Sequence, residues 1–391
     1  MQRSPDTLFT PAFIALTLSD LAYCTAGGVL IGVTPFFVTG PLGGGPAAVG
    51  LAVGAFSVTT LALRPLAGRW ADRRGRRPLL IGGAALFAVL VLGHLLVTEP
   101  AWLVVLRLLL GAAEALYFVA GFAALADLAQ PGRAGEALSY NSLALYVGLA
   151  AGPLMGQALL RWSGFPLVWA ATALLLGAAA LLAVRVPETL EAVVEAGLPA
   201  PLFHPAALVP GLGLSTGVAA VSGFLAFAAL YATDLGLDLW STVPAVFGSV
   251  VVTCRVVFAT LPDRLPPLRL SAFALGVSGA GLVLCAVVPT AWALVAGAAV
   301  LGVGTAFLTP AAFAAVFSRV PPTERGSAAG TATVFIDLGF SGGPVLLGVV
   351  AATSSIPVAF LAGAVLTASG AALLMCHTTP AAPLRTGSGP A

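Results

Sequence analysis

The sequence predicts an all-α membrane protein of twelve transmembrane helices, arranged as two pseudo-symmetric six-helix bundles. Three observations carry this. The 391 residues are 59% hydrophobic and only 8% charged, against roughly 25% charged in soluble domains, so lipid has to be the solvent. Apolar runs of about 20 residues, the length of a membrane span, recur along the whole chain between charges and Gly/Pro punctuation. The chain also matches itself at one offset of 191 positions: Phe56 with Phe247, Arg64 with Arg255, Asp72 with Asp263, Arg73 with Arg264, Gly135 with Gly326, Gly148 with Gly339, Gly152 with Gly343 and Pro153 with Pro344. One gapless offset across several helices is most simply a duplicated half.

The first run, residues 10–36, is too long for a signal peptide and follows a start without a cleavage pattern, so it reads as a retained span. Residues 46–68 and 78–97 flank an arginine-rich stretch. Residues 101–128, 136–160 and 165–185 complete the first half, 1–185. A linker with three glutamates and several prolines, 186–205, joins it to the second half, 206–391, with spans at 206–232, 242–261, 270–288, 291–317, 326–350 and 355–376. With both termini in the cytoplasm, thirteen of the 17 arginines fall in cytoplasmic segments and only Arg161 in an external loop. This is the asymmetry of the positive-inside rule.

Composition excludes several classes. The net charge of +2 gives no basic field for nucleic acid. The four cysteines lack metal-ligand spacing and read as small apolar core residues. No Walker loop or serine nucleophile elbow is present, His94, His204 and His377 are scattered, and Gly43-Gly44-Gly45 reads as an external turn. All basic residues besides histidine are Arg, as in GC-rich bacterial genomes.

Residues 64–78 hold six arginines, Arg64, Arg69, Arg73, Arg74, Arg76 and Arg77. Such a charge density belongs in a short loop outside hydrocarbon. Its pattern, Gly68-x-x-x-Asp72-Arg73-x-Gly75-Arg76-Arg77, resembles the loop between helices 2 and 3 of the major facilitator superfamily. The resemblance implies a conformational latch across the cytoplasmic face, formed by Asp72, Arg73, Arg76 and Arg77, with Arg64 at its start. Gly68 and Gly75 are expected to allow close approach and a tight turn. Asp127 and Glu188, at the ends of the fourth and sixth helices, are expected partners for the arginines: an acid at a helix C-terminus is unfavourable unless a cation answers it. The alternative is a topology signal that only fixes orientation.

Asp20, Glu114 and Asp337 each lie about 16–18 Å into their helices at 1.5 Å per residue, near the midplane of a ~30 Å core. Three carboxyls at one depth predict a proton- and substrate-handling cluster; neutral, hydrogen-bonded structural acids are the alternative. Tyr23 and Tyr117 follow Asp20 and Glu114 by three residues, on similar faces, as hydrogen-bond donors, substrate contacts or ordinary packing. Arg107 lies one face-repeat before Glu114, and Arg107-Leu-Leu-Leu-Gly111 resembles the fourth-helix proton-transfer motif of the family's antiporters. Snorkelling to the outer interface is its other reading.

Gly148-x-x-x-Gly152-Pro153-x-x-Gly156 resembles the family's antiporter motif, with Gln157 in place of its last glycine, and Gly343-Pro344 repeats it in the second half. Glycines four apart allow close helix packing and Pro153 a bend, so this contact is expected to seal one side of a cavity. It is also common helix glue. Taken together, the resemblance implies the major facilitator fold and a proton-coupled exporter of small amphiphilic compounds in a bacterial inner membrane. Such a protein is not an enzyme; it would act as a monomer without cofactor or metal, driven by the proton gradient. Import of a sugar or other metabolite by a symporter or facilitator is the second reading, and a polytopic membrane sensor the third.

Overall fold

A computed structural model describes residues 9–128, 134–190, 204–258, 261–320 and 325–378. These residues form helices and connecting turns, with no strand among them. In chain order the helices are α1 (Pro11–Thr39), α2 (Pro46–Arg74), α3 (Arg76–Leu92), α4 (Pro100–Leu128), α5 (Ala134–Ala183), α6 (Leu208–Asp234), α7 (Thr242–Val257), α8 (Leu261–Arg264), α9 (Pro267–Val287), α10 (Ala291–Phe317), α11 (Arg325–Thr353) and α12 (Ile356–Cys376). The starts follow local chemistry. Proline occupies the first turn of α1, α2, α9 and α12, where its missing N–H costs nothing. Thr10 and Ser355 cap α1 and α12 by accepting from Phe13 N (3.2 Å) and Val358 N (3.4 Å).

Ten of these helices are long and apolar enough to cross a membrane by length and composition. Three expected spans are realised differently. The fifth and sixth run together as α5, broken at Ser163 and Gly164, where the backbone leaves the helical region (Gly164 φ 75°). Its arms are the expected hairpin of helices, with Gly164 supplying the left-handed turn. The eighth span was read to residue 261, but α7 stops at Val257, and Leu261–Arg264 is a separate turn of helix. Three cysteines are buried as expected; Cys376, the last residue of α12, is exposed, because the helix ends there and no neighbour among the described residues covers it. The expected linker falls largely at 191–203, outside the described residues.

Packing separates the helices into two groups. Within α1–α5, the main contacts are α1 with α5, α2 with α4, and α3 with α4 and α5. Within α6–α12, they are α9 with α10 and α12, and α6 with α11 and α12. The groups meet along α2–α11 and α5–α7, with a smaller contact of α1 on α6. The closest pairing is set by glycine. A Cβ on Gly28 would lie 2.5 Å from the Gly148 carbonyl oxygen, and one on Gly152 would lie 2.6 Å from Gly28 Cα. The second copy of the motif repeats this: a Cβ on Gly339 would lie 2.8 Å from the Ser215 carbonyl oxygen, and one on Gly343 would strike the Ala219 carbonyl. A Cβ on Gly148 would lie 2.6 Å from the Cys24 carbonyl carbon; Cys24 and Ser215, and Gly28 and Ala219, are themselves 191 apart, so the repeat read from sequence is a repeat of packing. Gly148, Gly152, Gly339 and Gly343 thus weld α1 to α5 and α6 to α11 within each group.

Candidate functional site

Polar side chains cluster where the two groups meet. Arg64 of α2 lies against Asp337 of α11, with Nη2 donating to Oδ1 at 2.9 Å and Nε 2.7 Å from Oδ2. The second contact is close but poorly aligned for hydrogen bonding, so Nη2–Oδ1 is the directional bond and the rest is charge attraction. Asp337 is buried (3% exposed), which makes the ion pair costly to break from either side. Arg64 was expected with the arginine loop. Ten residues of helix separate it from Arg74, which at 1.5 Å each carries it about 15 Å into the bundle.

The equivalent residue of the second half, Arg255 on α7, reaches into the first group. Its Nη2 donates to the Tyr146 hydroxyl at 2.8 Å, and its guanidinium lies 4.4 Å from the Tyr146 ring centre. Tyr146 and Asp337 are also 191 positions apart. Tyr146 was missed by reasoning on charged residues alone; the offset already visible in the sequence pairs it with Asp337.

Glu114 of α4 is half-buried, within electrostatic reach of Arg64 and Asp337. Asp20 of α1 has different neighbours. Tyr117 of α4 is hydrogen-bonded to its Oδ1 at 2.8 Å, and Asn141 of α5 donates to its Oδ2 at 2.7 Å. Tyr23 stacks on Tyr117 with ring centres 3.9 Å apart and lies within electrostatic reach of both Glu114 and Asp20. The three carboxyls therefore divide: Glu114 and Asp337 face one arginine, while Asp20 is held by neutral groups. Asn141, a polar residue in an apolar run, was the signal overlooked. Arg107 is buried and donates to Thr34 of α1; it neighbours His94, which stacks on Trp169 at 4.4 Å, and among the described residues no hydrogen bond or ion pair ties it to Glu114.

The arginine loop makes a different structure. Gly75 ends α2 and begins α3 with φ 97° and ψ 159°, a region open essentially to glycine alone. A Cβ there would collide with the Glu188 carboxylate. That carboxylate accepts from Arg76 N (2.9 Å) and Arg77 N (3.2 Å), capping α3 from outside it, and from Thr189 N and Leu190 N (both 3.0 Å). Burial pushes Glu188 up, but the four backbone N–H groups outweigh it and hold the carboxyl below its ordinary range. Arg76 Nε is 3.2 Å from Asp127 Oδ2, which also accepts from Thr189 Oγ1 at 2.8 Å, and Arg77 Nη2 donates to the Val184 carbonyl at 2.8 Å. Asp127 and Glu188 thus meet the arginines, all within the first group. Arg73 is exposed, and the Asp72 side chain lies outside what is described. Gly68 makes no close approach: a Cβ there would find only Val119, at 4.0 Å. Its place inside α2, one turn and more before the chain reverses, is the reason.

At the end of the bundle away from the arginine loop, the groups are closed on each other. Gln157 Nε2 donates to the Asp238 carbonyl (2.6 Å), Ser241 N donates to Gln157 Oε1 (3.0 Å), and Arg161 also donates to the Asp238 carbonyl. Phe36 lies against Trp240, ring centres 4.8 Å apart. A Cβ on Gly32 would lie 3.1 Å from Trp240, and one on Gly50 would strike the Pro344 carbonyl; within the first group, a Cβ on Gly32 would also lie 3.1 Å from Pro153 and one on Gly156 2.8 Å from Val33. Gln157, the departure from the motif's final glycine, bonds across the interface here together with Arg161.

Two helix groups related by a sequence repeat, joined at mid-depth by paired arginine contacts and closed at one end, define a membrane transporter rather than an enzyme. The chain belongs to the Major Facilitator Superfamily, whose family model matches residues 16–288 and 263–391. It is 32% identical over 343 residues to an uncharacterized MFS-type transporter of Salmonella typhimurium, covering 82% of this chain and 85% of the relative. It is 31% identical over 378 residues to one of Burkholderia mallei (92% and 89%). Among solved structures, a bacterial homolog of the human lysosomal transporter Spinster, in an inward-facing and occupied conformation, matches with a TM-score of 0.79 at 16% identity, covering 93% of this chain and 95% of that one. The nucleoside transporter NupG matches with a TM-score of 0.78 at 14% identity (94% and 100%). The chain is therefore a multi-pass membrane protein that moves small molecules across a bilayer.

Proposed function

We propose that the chain is a proton-coupled exporter of small amphiphilic organic compounds, working by alternating access as a monomer in a bacterial inner membrane. The observation that carries this reading is one cation between two acids: Arg64 is paired with Asp337 while Glu114, without a hydrogen-bonding partner among the described residues, lies in reach of both. A buried ion pair across a moving interface must be broken in each cycle, and a proton on Asp337 or a transfer of Arg64 to Glu114 would do so without leaving a bare charge. A free carboxylate at the site favours a cationic or neutral substrate. Twelve crossings follow if α5 supplies two and the short α7 one, in halves 1–185 and 206–391 joined by 186–205.

With the arginine-rich end and both termini in the cytoplasm, the Gln157 contacts close the outer side. The loop residues Asp72, Arg73, Arg76 and Arg77 would then act as a latch when the cytoplasmic ends approach. The test is proton flux in liposomes, wild type against Glu114→Gln, across a panel of amphiphilic cations. Substrate-driven proton movement that disappears in the variant supports coupled export. Substrate movement indifferent to the proton gradient and to Glu114→Gln replaces it with facilitated transport, and accumulation with the inward gradient replaces it with symport.

A further inference from the structure

The hydrogen bonds around Asp20 can be counted. Ser19 Oγ lies 2.8 Å from the Ala179 carbonyl oxygen, which can only accept, so the Ser19 proton is spent there. Ser19 Oγ lies 2.8 Å from the Tyr117 hydroxyl, so the proton between them has to come from Tyr117. Tyr117 in turn lies 2.8 Å from Asp20 Oδ1. Three short contacts need three protons, and two hydroxyls supply two. If Tyr117 instead gave its proton to an ionised Asp20, the Ser19–Tyr117 contact would be two oxygens at 2.8 Å with no proton between them. We infer that Asp20 carries a proton on Oδ1 in this conformation, donating to Tyr117, which donates to Ser19, which donates to Ala179.

The surroundings agree with a neutral acid. Asn141 donates to Oδ2, and among the described residues Asp20 has no cationic partner. The titratable groups that interact with it are Tyr23 and Cys24 of α1 and Tyr117 of α4, with Glu114 of α4 in reach of Tyr23 and Cys24; among the described residues α5 offers Asn141 to Asp20 and the Ala179 carbonyl to Ser19. The proton therefore completes a hydrogen-bonded bolt through α1, α4 and both arms of α5. Removing it forces Tyr117 to turn its proton to the carboxylate, and the link from α4 to Ser19 is lost. The assignment stands on this geometry alone. Only its use in coupling rests on the transport reading, which makes Asp20 the site loaded with a proton while Arg64, Glu114 and Asp337 meet the substrate.

Infrared spectroscopy of the full-length protein in lipid, without substrate, reads the protonated carboxyl directly through its C=O stretch. We expect a band at neutral pH that disappears in Asp20→Asn and persists in Glu114→Gln. In Ser19→Ala, Tyr117 is free to donate to the carboxylate, and the pH at which the band is lost should fall by roughly one unit, the worth of one net hydrogen bond. Asp20→Asn keeps the count, its amide donating to Tyr117, and should melt near wild type. A neutral-pH spectrum with no band sensitive to Asp20, or a Ser19→Ala band that titrates at the wild-type pH, overturns the assignment. If Asp20→Asn does not fold, the Ser19→Ala shift decides alone. A protonated Asp20 with gradient-indifferent transport would keep the assignment and sink the coupling.

Discussion

Tyr146 and Asp337 hold equivalent places in the two repeats, and each accepts from the arginine of the opposite group, Arg255 and Arg64 respectively. One interface contact has thus been built twice, once as a neutral hydrogen bond with a cation over a ring and once as an ion pair. Removing the partner should therefore have unequal effects. Tyr146→Phe keeps the ring beneath Arg255 and loses one hydrogen bond, about 1 kcal/mol. Asp337→Asn takes the paired charge from Arg64 and leaves Glu114 as the carboxylate in reach, at about 3 kcal/mol, the lower end for a buried pair, because the Arg64 side chain also keeps 24% exposure. Thermal melting of the two variants in one detergent checks the order; equal losses would mean that the ion pair contributes no more than the neutral contact.

Gly75→Ala should be among the more damaging substitutions outside the membrane. It places a side chain in a backbone region that costs of order 1–3 kcal/mol and evicts the Glu188 carboxylate from the α3 N-terminus. Hydrogen exchange at Arg76 and Arg77 should accelerate together with a lower melting temperature. Unchanged protection at those amides would show that Glu188 does not cap α3.

Glu188 also gives a pH signature. Its carboxyl is held below its ordinary range, so its contribution is complete above the unfolded value of about 4.3 and is lost as pH falls through the lower folded value. The amides of Arg76, Arg77, Thr189 and Leu190 should keep constant protection from about pH 5 to 8 and lose it together only in more acidic buffer, after correction for intrinsic exchange. Loss centred near neutrality would assign the cap to another group.

Gln157→Ala removes the acceptor for Ser241 N and a donor to the Asp238 carbonyl. Exchange of the Ser241 amide should rise about fivefold to tenfold, the size of roughly 1 kcal/mol of net hydrogen bonding. An unchanged rate would mean that Phe36, Trp240 and the glycine contacts close this end without Gln157.

The sequence alone determined what depends on solvent and on chain-local geometry. Apolar runs of span length and a near absence of charge required a helical membrane protein, and the offset of 191 positions announced two related groups. The spacing of Gly148 and Gly152 gave the close helix contact, because residues four apart share one face. Asp127 and Glu188 were legible as partners of the arginine loop because helix ends concentrate there. Tertiary structure alone decided which groups meet across helices. Arg64 reads in sequence as one of six neighbouring arginines, yet helical rise carries it to Asp337, 273 residues away in the chain. Asp20, at the same depth as Glu114, is instead partnered by Tyr117 and Asn141, with Ser19 on Tyr117, uncharged residues that no search for charge would select. Depth along a helix follows from counting residues, but rotation toward a particular neighbour follows only from packing, and hydrogen bonds and ion pairs need atoms within about 3 Å.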